Sequence, residues 1–182
     1  MENNDELRKK VLESITKTLI EKNKRYGNAA LSPIGVFYRG TSTNSIAIRL
    51  DDKLSRIKNS DTLRKNDMFD LLGYLILYEI SIRNLLGLTF VEQVGSVADD
   101  VINIGVTELV DVKGIEFDNV FDKQNTGDKN LTNLNIIYNG FKRLPSYALG
   151  GIRSQLYTLN FIIHLVDYFV VNNITDFDEL LD

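Results

Sequence analysis

Along the N-terminal stretch, Leu7, Val11, Leu12, Ile15, Leu19 and Ile20 recur at the spacing of one helical face, with Arg8, Lys9, Lys10, Glu13 and Lys17 around the rest of the wheel. The pattern predicts an amphipathic helix over residues 4–24. Tyr26-Gly27-Asn28 and then Ser32-Pro33 supply its stop. Ile46, Ile48, Leu50, Leu54 and Ile57 turn helical in period after Ile48 and predict a second helix over 44–58. A third is expected over 67–86, capped by Asn66 or Asp67. Its apolar residues, among them Phe69, Leu72, Leu75, Leu77 and Tyr78, spread around the whole wheel, which implies burial between other helices at the centre of the core.

Beyond Gly87 the pattern weakens. Ser96–Val110 fits helix or strand, and the partial alternation of Val110–Phe121 suits one or two short strands, a hairpin around 108–121. Asp122–Asn130 reads as an exposed loop. Asn133–Phe141 is predicted as a short helix, Pro145 and Gly150-Gly151 as a break, Ser154–Val171 as a long helix and Asp176–Leu181 as a last turn. The expected fold is mainly α: a helical core over 1–86 with a helical extension over 87–182 packed on it.

At 182 residues, 43% apolar and 25% charged, the chain has the length of one domain and enough apolar surface to fold. Its 21 basic and 25 acidic residues give a net charge of −4, which argues against a globally electropositive nucleic-acid binder. No cysteine is present, which removes disulfides, thiolate nucleophiles and zinc-finger ligation and suits an intracellular setting. The one histidine, His164, excludes a multi-histidine metal centre within the chain. Asp167 lies three residues on, but without a serine nucleophile context the histidine reads as structural. The first twenty residues lack an apolar leader region, and the most apolar stretches are interrupted well short of the roughly 20 residues that span a bilayer, so a cytoplasmic protein without membrane partners is expected.

On the second helix Arg49, Asp52, Lys53 and Arg56 stand at i, i+3, i+4 and i+7, putting three cations and a carboxylate on one face. Arginine forks and a lysine point charge suit phosphate, with Asp52 orienting an arginine or reaching a metal or sugar hydroxyl; the same spacing also makes an ordinary salt-bridge ladder on a solvated face. Tyr26-Gly27-Asn28 serves as a helix stop or as a turn that brings a tyrosine ring to a base and backbone amides to phosphate. Tyr74 reads as core packing with its hydroxyl satisfied. Lys113-Gly114-Ile115-Glu116-Phe117-Asp118 looks like a helicase stretch, yet the chain has no phosphate loop, so it is taken as a turn and strand.

Three pieces in register, Lys22-Asn23-Lys24-Arg25-Tyr26-Gly27-Asn28, then Ile48-Arg49-Leu50-Asp51-Asp52-Lys53-Leu54-Ser55-Arg56-Ile57-Lys58-Asn59, then Asp67-Met68-Phe69-Asp70-Leu71-Leu72-Gly73-Tyr74, resemble the phage nucleotide-modification-associated domain over about residues 8–86. That family carries a KN-x-x-YG-N turn, an IR-x-x-DK-x-x-R helix and a D-L-x-GY helix. The resemblance implies a role in handling modified nucleotides and a distant similarity to all-α nucleoside-triphosphate pyrophosphatases of the MazG and dimeric dUTPase type. In that wider group carboxylates of two facing helices hold Mg²⁺ against phosphate. Carried over, it makes Asp52, Asp67 and Asp70 candidate catalytic and Mg²⁺-ligating residues, and Tyr26, Asn28, Arg49, Lys53 and Arg56 candidate nucleotide contacts. The second helix offers Asp51-Asp52 amid Lys53 and Arg56 where the wider group has a glutamate-rich face. Three readings follow: a Mg²⁺-dependent nucleotide pyrophosphohydrolase, a non-catalytic nucleotide-binding sponge or accessory subunit, and an interaction protein that self-associates, a homo-oligomer being expected.

Overall fold

The computed structural model describes residues 2–83, 85–104, 117–123 and 128–180. Six helices occur among the described residues: α1 (Asn4–Tyr26), α2 (Ser42–Asn59), α3 (Lys65–Ile82), α4 (Phe90–Asn103), α5 (Lys129–Arg143) and α6 (Ile152–Val171). Short 3-10 turns lie at Ser146–Ala148 and Asp178–Leu180, and no strand occurs among the described residues. The chain is therefore a mainly α helical bundle. No helix among the described residues is long and apolar enough to cross a membrane.

As its all-round apolar pattern requires, α3 lies at the centre, with Met68, Leu71, Leu72, Leu75, Ile76 and Ile80 buried. It packs against α2, α4 and α6, while α6 also packs on α1, α4 and α5. One buried cluster joins Val11 and Ile15 of α1 to Leu134 and Ile137 of α5 and to Ile162, Leu165 and Phe169 of α6, so both halves of the chain build a common core.

Helix ends explain where the sequence reading needs correction. α1 stops at Tyr26 because Gly27 (φ 62°) and Asn28 (φ 61°) both turn left-handed. α3 starts two residues earlier than expected, with Arg64 at the N-cap and no side-chain cap; neither Asn66 nor Asp67 caps it. It also ends at Ile82, short of residue 86, because Arg83 turns extended. There its guanidinium meets Glu79 (3.1 Å), Ser96 (3.1 Å) and Asp100 (2.6 Å), tying α3 to α4. Glu79 is buried, and burial holds its carboxyl above the usual range despite Arg83. The stretch 96–110 is helical up to Asn103. The proposed hairpin around 108–121 falls mostly outside the described residues, and Phe117–Phe121 is not strand.

Two asparagines hold that last segment in place. Asn135 Oδ1 accepts from the backbone N–H groups of Val120 and Phe121, both at 2.9 Å. Asn139 accepts from the Asp118 N–H (3.0 Å) and donates to the Asp118 carbonyl (2.9 Å). Both are buried, so these bonds satisfy groups that water cannot reach. At the other end of the chain, Phe177 is fully buried with ring centroids 4.9 Å from Phe69 and 4.9 Å from Phe169, and its N–H donates to Ser14 Oγ at 3.0 Å. Phe177→Ala is expected to cost about 3–5 kcal/mol, read from urea unfolding; a loss below about 1 kcal/mol contradicts this packing.

His164 is buried on α6, and its Nε2 has no partner among the described residues. Asp167, three residues on, takes a forked pair from Arg8 at 2.6 and 3.2 Å. Burial holds the imidazole below its ordinary value of 6.5. Above that value both folded and unfolded chains carry it neutral; below it the unfolded chain takes the proton first, so stability falls as the solution is acidified. His164→Leu is expected to flatten the loss of stability measured between about pH 7 and pH 5; an unchanged slope contradicts the assignment.

Candidate functional site

A cleft of about 600 Å³ opens between the C-terminal end of α1, the loop after it, α2 and the first half of α3. Lys22, Asn23 and Tyr26 come from α1; Ala29, Ala30, Pro33 and Ile34 from the loop; Ser45, Ile46 and Arg49 from α2. The floor is Phe69, Asp70, Gly73, Tyr74 and Leu77 of α3, and Phe90 closes one end from α4. All three sequence segments that carry the phage-domain resemblance thus meet at one cavity, though their residues do not contribute equally.

The geometry of α2 decides which do. Ile46, Leu50 and Ile57 are its buried seam. At 3.6 residues per turn, Lys53 lies about 40° from the centre of that seam, Arg49 about 80°, Arg56 about 100° and Asp52 about 140°. Lys53 is accordingly drawn onto α3, where its Nζ meets Asp70 Oδ2 at 2.9 Å with side chains only 14% and 32% exposed. Arg49 stands at the edge of the seam over the cleft and makes no ion pair or hydrogen bond with any described residue. Arg56 and Asp52 are exposed and do not line the cavity. The stripe of four charges is therefore split.

On α1, Lys22 Nζ stands 5.3 Å from the centre of the Phe69 ring, a cation–π contact that leaves its other donors available. Asn28 does not line the cleft but braces it: Asn23 Nδ2 donates to Asn28 Oδ1 at 2.7 Å, and the Asn28 N–H donates to the Asn23 carbonyl at 3.2 Å. This clamp fixes the turn that sends Tyr26 to the rim, where the residue is 68% exposed. Gly73 keeps the floor flat; a Cβ there would meet Leu19 Cδ2 at 3.4 Å and project into the space. Tyr74 lines the cavity, and its hydroxyl, expected to be satisfied in the core, has no partner among the described residues.

The carboxylates anticipated for Mg²⁺ do not gather. Asp67 is buried and takes Arg64 Nε at 2.9 Å, Asp70 takes Lys53, and Asp52 faces solvent. No group of three or more carboxylate or imidazole side chains among the described residues stands where it can hold a metal ion. Mg²⁺ needs several oxygen ligands around one point. Here two of the three carboxylates are already neutralised by cations, so these residues fit a Mg²⁺ ion poorly.

A second cleft, of about 590 Å³, lies on the other side of α2 against α3 and α5. At its rim Lys58 and Lys142 both reach Asp118, at 2.8 and 3.8 Å, and Lys58 holds the Asp118 carboxyl below the usual range. Its cations are spent on an internal anion, unlike Arg49.

Sequence reasoning missed Lys22 as a cleft cation and missed the loop wall at Ala29–Ile34. Lys22 had a signal, since it opens the KN-x-x-YG-N turn; the loop wall had none. Comparisons with family models, curated proteins and solved structures give no match to this chain.

The Lys53–Asp70 pair predicts its own test. A double-mutant cycle of Lys53→Met and Asp70→Asn should show a coupling of about 1–2 kcal/mol, above the roughly 0–1 kcal/mol of exposed pairs. Additive single effects would contradict an interhelical bond that holds α2 on α3.

Proposed function

We propose that this chain is a nucleotide-binding protein that takes its ligand in the cleft between α1, α2 and α3. One observation carries the reading: Arg49, a cation with no internal partner among the described residues, overhangs a cavity with aromatic and apolar walls, with Lys22 also on its lining. A guanidinium fork and an ammonium suit a phosphate group, and rings such as Tyr26 and Tyr74 offer flat faces to a base. Such pockets are typically mostly apolar with a few placed polar groups, at this order of volume. The resemblance to the phage nucleotide-modification-associated domain supports a ligand drawn from modified-nucleotide metabolism, in the cytoplasm of a host cell.

Binding without turnover is the form of this function that the side chains favour. Asp70 is the cleft's one lining carboxylate among the described residues, and it is tied to Lys53, so it is poorly placed to activate a water or share a metal. Lys53 itself acts as a positioning residue: it satisfies Asp70 so that the carboxylate does not repel a phosphate held by Arg49.

Calorimetry with a panel of canonical and modified nucleoside mono- and triphosphates tests the proposal. Binding of at least one, weakened about tenfold or more by Arg49→Ala at a cost of about 1.4 kcal/mol, with the nucleotide recovered unchanged, is the expected result. Heat from none of them, or equal affinity in the Arg49→Ala protein, removes the nucleotide reading; release of pyrophosphate or phosphate replaces the binding reading with an enzymatic one.

A further inference from the structure

The loop between α1 and α2 begins at Gly27 and Asn28 and tucks Ala30 and Leu31 against the core. From Pro33 to Gly40 it behaves differently. Among the described residues it makes one hydrogen bond, an internal one from Arg39 Nε to the Val36 carbonyl at 3.4 Å, and none ties it to any other described residue. Gly35, at φ 74°, gives it a joint that other residues rarely adopt. Tyr38 folds back over Gly40, where a Cβ would lie 2.3 Å from the Tyr38 hydroxyl. Ile34 and Phe37 have no such shelter: they are 92% and 101% exposed.

A single exposed apolar side chain needs no explanation, but two of them on an untethered loop that is itself a wall of the cleft do. Ile34 already lines the cavity while almost wholly in water. Across the space lie Phe69, Tyr74, Leu77 and Phe90, an apolar surface for the loop to close upon. Burying a phenylalanine side chain is among the larger gains one residue can supply, and a base seated in the cleft gives Phe37 a flat face to stack on.

We propose that Phe37 is a ligand-contacting residue of this cleft: when a nucleotide enters, Pro33–Gly40 folds inward, and Phe37 stacks on the base while Ile34 closes the apolar wall. This rests on the nucleotide reading and adds to it the source of base recognition. Phosphate is held by the helix cations, and the base is gripped from the loop.

The chain contains no tryptophan, so Phe37→Trp places a lone indole at the site. Its emission is expected to be that of a water-exposed indole at every protein concentration, then to shift to the blue or be quenched as a nucleoside monophosphate is titrated in. Phe37→Ser should bind the same nucleotide about tenfold more weakly, the loss of one base–aromatic stack, with thermal unfolding unchanged. Calorimetric binding that leaves the indole emission unaltered, or Phe37→Ser binding as tightly as the native chain, overturns the proposal while leaving the nucleotide reading standing. Emission already blue-shifted without ligand and rising with protein concentration overturns it in favour of a contact between two copies. Binding of no nucleotide to the native chain removes both readings.

Discussion

α2 is held chiefly by one neighbour. Its seam of Ile46, Leu50 and Ile57 lies on α3, and the Lys53–Asp70 bond pins it there. A helix seated on one partner leaves a gap along each flank, and the two clefts described above are these gaps. Burial of α3 on nearly all sides makes this possible, because an apolar helix at the centre gives α2 a rigid bed while α6 and α4 cover its other faces.

The two flanks differ in how their charges are spent. On the α5 side, Lys58 and Lys142 share Asp118, whose backbone is in turn clamped by Asn139. On the α1 side, Lys53 is paired with Asp70, but Arg49 has no anion among the described residues. A cation beside an apolar cavity, with no described residue to neutralise it, is the arrangement that a phosphorylated ligand would complete. The same accounting explains why the acidic residues serve the fold: Asp67 and Asp70 are each bound to a cation, and a carboxylate so engaged gains little from a metal.

Much of this was legible in the residues. Periodicity placed five of the six helices to within a few positions and marked α3 as central, because burial on all faces leaves a distinct pattern. Near α4, the stretch 96–110 was ambiguous because its short apolar run suits either period. The i, i+3, i+4, i+7 spacing of Arg49, Asp52, Lys53 and Arg56 correctly gave a shared sector of α2, yet that sector is wide. Where α3 lies beneath it decides that Lys53 turns inward, Arg49 overhangs the cleft, and Asp52 and Arg56 face water. Spacing within one helix does not contain that information. Nor does it reveal Asn135 and Asn139, which look like ordinary polar positions until the 117–121 segment is laid against them.

Backbone amide shift mapping by NMR during titration with a nucleotide tests the central claim most directly. The account predicts perturbations gathered at Lys22–Ala30, Ser45–Arg49 and Asp70–Tyr74, the three walls of one cleft. Perturbations centred instead on Lys58, Asp118 and Lys142, or scattered without a focus, would contradict it.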